Sequence, residues 1–337
     1  MLMMTIKYTS YFVTAALLIV TLFSEVKANA PEPTTTRTLH LSDAKAKYAG
    51  TASKFANIDG VDIHYRDEGS GPALLLLHGT LGDLTDWDEW TQQLSQQFRV
   101  VRLDLPGFGL SGDMPNKNYS VERSHIFIDA LMDQLDIDKF GVVGISYGGM
   151  VVFRYAATRT ERVTAMVLIN SAGIQRGKAA AIEATANQKP TAPPKNIFTD
   201  PVVHAADVER FYQGYINDSA RRTPELIQRK LDFLNIRGRS EVAIAALSLY
   251  EQGNPRRVLS HVRAPSLIMW GTANQALDIE TAQAFVDALH NACARELVTF
   301  ADGGHYINLE RPLETVTSAK AFLTKYLKTP TTQCTAP

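Results

Sequence analysis

Short apolar runs recur along the chain at Ala73–Leu77, Val100–Leu103, Gly141–Val143, Met166–Ile169, Ser266–Met269 and Leu297–Phe300. The first five lack strict polar–apolar alternation, which is expected of strands buried on both faces. An earlier segment differs. Val61, Ile63 and Tyr65 alternate with Asp62, His64 and Arg66 directly after Asp59-Gly60, which predicts an antiparallel hairpin. Helical spacing fills the intervals at Trp87–Phe98, Val121–Leu135, Met150–Ala157, Ile279–Leu289 and Leu313–Leu327. Strand and helix patterns in alternation predict an α/β fold: a mostly parallel sheet of about eight strands with helices on both faces.

One stretch breaks this rhythm. Residues 173–259 contain helical patterns at Val208–Tyr215, Pro224–Leu234 and Ser240–Gln252 but no strongly apolar strand, and they read as an inserted helical cap. The core is then expected over 53–172 and 260–328, with a C-terminal tail at 329–337. Residues 31–52 are rich in threonine, alanine and lysine without periodicity and read as a linker or N-terminal arm. Before them, Lys7, the apolar Tyr11–Phe23 stretch and Ala28-Asn29-Ala30 have the form of a cleavable signal peptide over 1–30. The apolar stretch is shorter than the roughly 20 residues that span a bilayer. Export to a periplasmic or secreted location is the expectation, with N-terminal membrane anchoring as the alternative and no stable span after cleavage.

Composition narrows the partners. In 337 residues, 34 Lys and Arg face 35 Asp and Glu for a net charge of −1, so no broad field favours nucleic acid. A small-molecule substrate fits better. Two cysteines, Cys293 and Cys334, stand near the C-terminus. In an oxidising compartment they either pair, closing a loop of about 40 residues worth roughly 3–4 kcal/mol on the chain-entropy model, or remain unpaired thiols.

Candidate chemistry centres on Gly144-Ile145-Ser146-Tyr147-Gly148, which lies between a predicted strand and a predicted helix. A G-x-S-x-G turn in that setting raises a serine hydroxyl above the sheet edge beside the backbone N–H groups of a helix start. His305, flanked by Gly303-Gly304 and following the run Leu297–Phe300, comes from a loop at the same carboxyl edge. His78 is its strongest rival, although the adjacent glycine suits an oxyanion loop. Gly107-Phe108-Gly109-Leu110-Ser111-Gly112 formally matches a dinucleotide fingerprint, but no helix opens after it, so no cofactor is expected. No His, Cys or carboxylate cluster has metal-ligand spacing, and no metal is expected.

From about Ala52 to Leu327 the sequence resembles the α/β-hydrolase family, in its serine-nucleophile, capped, esterase- and lipase-like branch. The motifs are His78-Gly79-Thr80-Leu81, Asp104-Leu105-Pro106-Gly107-Phe108-Gly109-Leu110-Ser111, the Ser146 turn, and Gly303-Gly304-His305 with Glu310 and Pro312. The resemblance implies Ser146 as nucleophile, His305 as general base, and an oxyanion hole from the N–H groups of Tyr147 and of Thr80 or Leu81. It fails at the third member. Where the family carries W-G-x-x-D, this chain has Trp270-Gly271-Thr272-Ala273-Asn274. Asn274 as an uncharged third member, a carboxylate recruited from elsewhere, and a disabled site are the three open accounts. Asp278 is the nearest carboxylate but also suits the N-cap of the next helix; the end of the sixth strand offers only Asn170-Ser171. The expected reaction is ester cleavage by a carboxylesterase or lipase-like serine hydrolase through an acyl-enzyme on Ser146. The alternatives are a carbon–carbon bond hydrolase or lactonase of the same fold, and an impaired binding protein.

Overall fold

The computed structural model describes residues 37–174, 197–198, 200–248 and 253–328. The expected signal segment, the C-terminal tail and part of the cap lie outside them. Among the described residues no helix is long and apolar enough to cross a membrane.

Eight strands form one sheet: β1 (Lys54–Ile58), β2 (Val61–Glu68), β3 (Ala73–Leu77), β4 (Arg99–Leu103), β5 (Phe140–Ile145), β6 (Val163–Ile169), β7 (Ser266–Gly271) and β8 (Arg295–Phe300), in the order β1-β2-β4-β3-β5-β6-β7-β8. The β1–β2 hairpin is antiparallel and pairs antiparallel to β4; every other pairing is parallel. Asp59 and Gly60 both take positive φ, 49° and 78°, as a two-residue hairpin turn of right-handed twist requires.

The apolar runs feed two layers. Leu75, Leu77, Val142, Met166, Leu168 and Ile268 face one hydrophobic cluster, while Leu74, Leu76, Val143, Val167, Ile169 and Leu267 face the other. The first layer is closed by α3 (Val121–Gln134), α4 (Tyr147–Thr158), α8 (Pro255–Leu259) and α9 (Ile279–Ala288), the second by α2 (Asp88–Leu94), the short α10 (Ile307–Glu310) and α11 (Pro312–Leu327). Burial on both faces explains the missing alternation in those strands.

Between β6 and β7 lie α5 (Ala205–Gln213), α6 (Pro224–Leu234), α7 (Arg239–Ser248) and α8, the last of which packs in the first core layer although the expected cap ran to residue 259. The cap is fastened to the core by charge. Lys230 of α6, fully buried, reaches Asp83 at 2.7 Å and Asp86 at 2.5 Å, and Arg229 reaches Asp83 at 3.0 Å.

From Arg37 onward the expected linker or N-terminal arm is docked on the domain. Leu41–Tyr48 is a helix, α1, and Ala44 packs with Leu110 and the cap residues Phe233 and Ile236. Leu39 bridges Ile236, and the buried Arg37 guanidinium donates to the carbonyls of Leu234 and Ile197. Sequence periodicity missed this because only Ala44 of the helix is buried, so tertiary anchors rather than an amphipathic stripe hold the segment. Cys293 is disulfide-bonded, and Cys334 lies outside the described residues.

Candidate active site

Ser146 caps α4 at the carboxyl end of β5 with φ 52° and ψ −118°. This left-handed conformation costs a non-glycine residue on the order of 1–3 kcal/mol and is retained only where its surroundings over-determine it. Here they do. Ser146 N–H donates to Ile169 O at 3.1 Å, and Ser146 O accepts from Ala172 and Met150 N–H. The flanking glycines are required by close approach: a Cβ on Gly144 would overlap the backbone of Gly148, and one on Gly148 would overlap the carbonyls of His78 and Leu77.

His305 is buried, with its Nδ1 3.1 Å from Asn274 Oδ1. That oxygen also accepts from the backbone N–H groups of Ala276 (3.0 Å) and Leu277 (3.2 Å), donors that cannot reverse roles. The amide oxygen therefore faces the imidazole, Nδ1 carries the proton, and Nε2 keeps its lone pair. Burial with no carboxylate beside it pushes the His305 pKa down to about 3. Asn274 Nδ2 is buried without a partner. No hydrogen bond joins Ser146 Oγ to His305 among the described residues. Asp278, the alternative acid, is the N-cap of α9, accepting from Thr281 N–H at 3.0 Å and its hydroxyl at 2.6 Å.

The Gly79–Gly82 turn follows β3 beside Ser146: a Cβ placed on Gly79 would lie 3.2 Å from Ser146 Cβ. The amides of Thr80, Leu81 and Tyr147 donate to no protein acceptor among the described residues, so they are available to a developing oxyanion. Leu81 holds a left-handed φ of 62°.

Four residues unassigned from sequence build the frame. Asn170, at the end of β6, is buried; its Nδ2 donates to Gly304 O (3.1 Å) and His305 O (2.7 Å), and its Oδ1 accepts from Gly271 N–H (3.0 Å). The amide that seemed a missing acid thus ties β7 and the histidine loop to the strand beside Ser146. Tyr215 O, just beyond α5, accepts from both His305 N–H (2.7 Å) and Tyr306 N–H (3.0 Å). Tyr306 hydroxyl donates to Thr80 O at 2.5 Å. Glu310, quoted in the motif without a task, accepts from Gly304 and Asp218 N–H. Glu310 and Asn170 stood at motif positions in the sequence; Tyr215 and Tyr306 carried no such signal, because they make bonds across the fold.

The competing histidines have structural partners. His78 Nδ1 meets Gly79 O at 2.8 Å and its Nε2 accepts from Leu105 N–H at 3.0 Å, so both nitrogens are occupied by backbone. His64 stands between Asp104 (2.7 Å) and Ser53 (2.8 Å). Asp104 also accepts from Leu84 and Leu110 N–H, which pins the Asp104–Ser111 motif to the sheet. Gly107 N–H returns to Gly112 O, closing that glycine-rich segment on itself. Among the described residues no group of His, Cys, Asp and Glu has the arrangement of a metal site.

Known proteins share this fold. A family model described as the alpha/beta hydrolase fold matches residues 72–312. The 2-hydroxy-6-oxononadienedioate/2-hydroxy-6-oxononatrienedioate hydrolase of Burkholderia vietnamiensis is 26% identical over 289 residues, covering 80% of this chain and 95% of its own. Among solved structures, a bacterial membrane phospholipase A superposes with a TM-score of 0.70 at 24% identity, over 92% of this chain and 97% of its own. A meta-cleavage product hydrolase from Pseudomonas fluorescens gives 0.69 at 21% identity, over 81% and 97%. With the eight-stranded sheet, the inserted helices and the strained serine turn, the matched span covers most of the chain, which belongs to the α/β-hydrolase fold family.

Proposed function

We propose that this protein is a serine hydrolase for carbonyl compounds whose leaving group departs as a stabilised enolate. The substrate class is a carbon–carbon bond next to a ketone, as in meta-cleavage products, or an enol lactone. The carrying observation is the contact of His305 Nδ1 with a neutral amide oxygen rather than a carboxylate. An imidazole so placed is a weak base, and the imidazolium has no counter-charge. Such a site favours an electrophilic carbonyl and a leaving group that needs little proton help. An alkyl ester, with an alkoxide to expel, is the harder case. The named relative acts on a substrate of the favoured kind, so the alternative expected from sequence is preferred to the carboxylesterase or lipase-like reading.

In the proposed cycle Ser146 Oγ adds to the ketone carbon while His305 Nε2 takes its proton. Tyr147 and Thr80 amides hold the oxyanion. In a meta-cleavage product the 2-hydroxydiene first ketonises, losing its enol proton and gaining one at the carbon beside the ketone. The carbon–carbon bond then breaks, its electron pair delocalises into the conjugated carbonyl so formed, and the proton passes from His305 to the departing dienolate. Water, deprotonated by His305, cleaves the acyl-enzyme to a carboxylic acid. No cofactor takes part.

Relative kcat/KM values for a 2-hydroxy-6-oxodienoate, an enol lactone, a phenyl ester and an alkyl ester of matched acyl group test the reading. The first two are expected to exceed the alkyl ester by ~10²-fold or more, as weak base assistance demands. An alkyl ester turned over as fast as the enol substrates would exclude the enolate preference. Failure of a fluorophosphonate to label Ser146 in folded protein would exclude the serine mechanism itself.

A further inference from the structure

We infer that Tyr306 is a positioning residue that locks the oxyanion turn to the histidine loop, with the cap residues Tyr212 and Tyr215 completing the clamp. The inference rests on the proposed roles of Ser146 and the Thr80 turn. Tyr306 directly follows His305, so any displacement of one carries the other. Its N–H is held by Tyr215 O at 3.0 Å, its hydroxyl donates to Thr80 O at 2.5 Å, and its ring packs at 5.8 Å from that of Tyr212. A Cβ built on Gly79 would lie 3.4 Å from the Tyr306 hydroxyl and 3.2 Å from Ser146 Cβ, so the phenol and the nucleophile flank the same glycine.

The turn needs this restraint. Leu81 carries a left-handed φ of 62°, which its Cβ disfavours, and relaxation would rotate the flanking peptides. Tyr306 fixes the carbonyl of Thr80, and Tyr212 hydroxyl approaches Leu81 O at 3.4 Å. Two successive carbonyls are thereby held, and the planar peptides fix with them the N–H of Leu81, the other candidate oxyanion donor of this turn, and the N–H of Gly82, which closes the turn onto Gly79 O. Burial raises the phenol pKa of both tyrosines, so each stays a neutral donor. The same cap segment holds His305 N–H through Tyr215 O at 2.7 Å and sets its ring edge-on to the imidazole at 5.1 Å. The inserted segment is therefore part of the proposed catalytic frame.

Tyr306→Phe removes the hydroxyl and keeps the ring. With an activated aryl ester, kcat is expected to fall ~10- to 100-fold, below the ~10²–10³ of deleting an oxyanion donor outright, with KM changed by less than about 2-fold. Affinity for a trifluoromethyl ketone, which forms a tetrahedral oxyanion on Ser146, should fall by the same factor as kcat/KM. A purely structural role would lower thermal stability without that match. Tyr212→Phe should give the same pattern at about 3-fold, and it decides the matter if Tyr306→Phe does not fold. Unchanged kcat, or a loss in KM alone with trifluoromethyl ketone affinity intact, overturns the inference. If wild-type protein and Ser146→Ala are equally unlabelled by a fluorophosphonate, the functional reading has failed instead.

Discussion

Replacing Asn274 by aspartate puts charge where the structure already holds a carboxylate-like set of donors. Oδ1 accepts from His305 Nδ1 and from Ala276 and Leu277 N–H, and a carboxylate oxygen inherits all three without moving the backbone. The second oxygen replaces Nδ2, which is buried and unpartnered, so one unpaired polar atom replaces another. The new charge faces the imidazole at hydrogen-bond distance. Two unit charges 4 Å apart at an effective dielectric of 20 attract by about 4 kcal/mol, equivalent to roughly three pKa units. The His305 pKa should rise from about 3 towards the ordinary histidine range. The reverse substitution in a serine protease costs about 10⁴ in kcat; with one oxygen uncompensated, a gain of ~10²–10³ in kcat/KM on an alkyl ester is expected. The gain should shrink on enol substrates, which need less base. Stopped-flow rates on matched esters from pH 4 to 9 read both effects, since the variant should acquire an acidic limb absent from wild type above pH 4. A folded, fluorophosphonate-reactive Asn274→Asp with neither a faster alkyl ester nor a new limb would refute the assignment of position 274 to the relay.

Acid should destabilise the fold in a defined window. His305 and His125 are pushed down by burial to about 3 and about 4, below the unfolded value near 6.5, so the unfolded chain binds more protons. Their stabilisation is complete above that value and is lost as pH falls through it towards 4 and 3. Urea midpoints should drop between pH 7.5 and 4.5, less in His125→Gln; pH-independent midpoints would contradict the buried neutral assignment. Lys230→Met leaves Asp83 and Asp86 buried without their shared cation, and loss of one partner of a buried pair costs about 3–5 kcal/mol. Calorimetry of that variant should show a lowered transition; an unchanged Tm would mean that the cap is fastened by its apolar contacts instead.

Local patterning along the chain was enough to read the sheet, most of its helices and the places of Ser146 and His305 at strand ends. Strands buried on both faces leave unbroken runs such as Leu74–Leu77, and a serine turn pressed against neighbouring backbone admits only glycine at 144 and 148. The sequence also showed that position 274 holds an amide. How that amide is used follows from the folded geometry, in which two backbone donors from the next turn direct its oxygen to His305. The docking of α1, the Lys230 cluster, and the bonds of Asn170, Tyr215 and Tyr306 were likewise illegible. Their partners lie up to 226 residues away in sequence, as for Tyr306 and Thr80. A single buried bond between distant elements leaves no periodicity for a sequence to display.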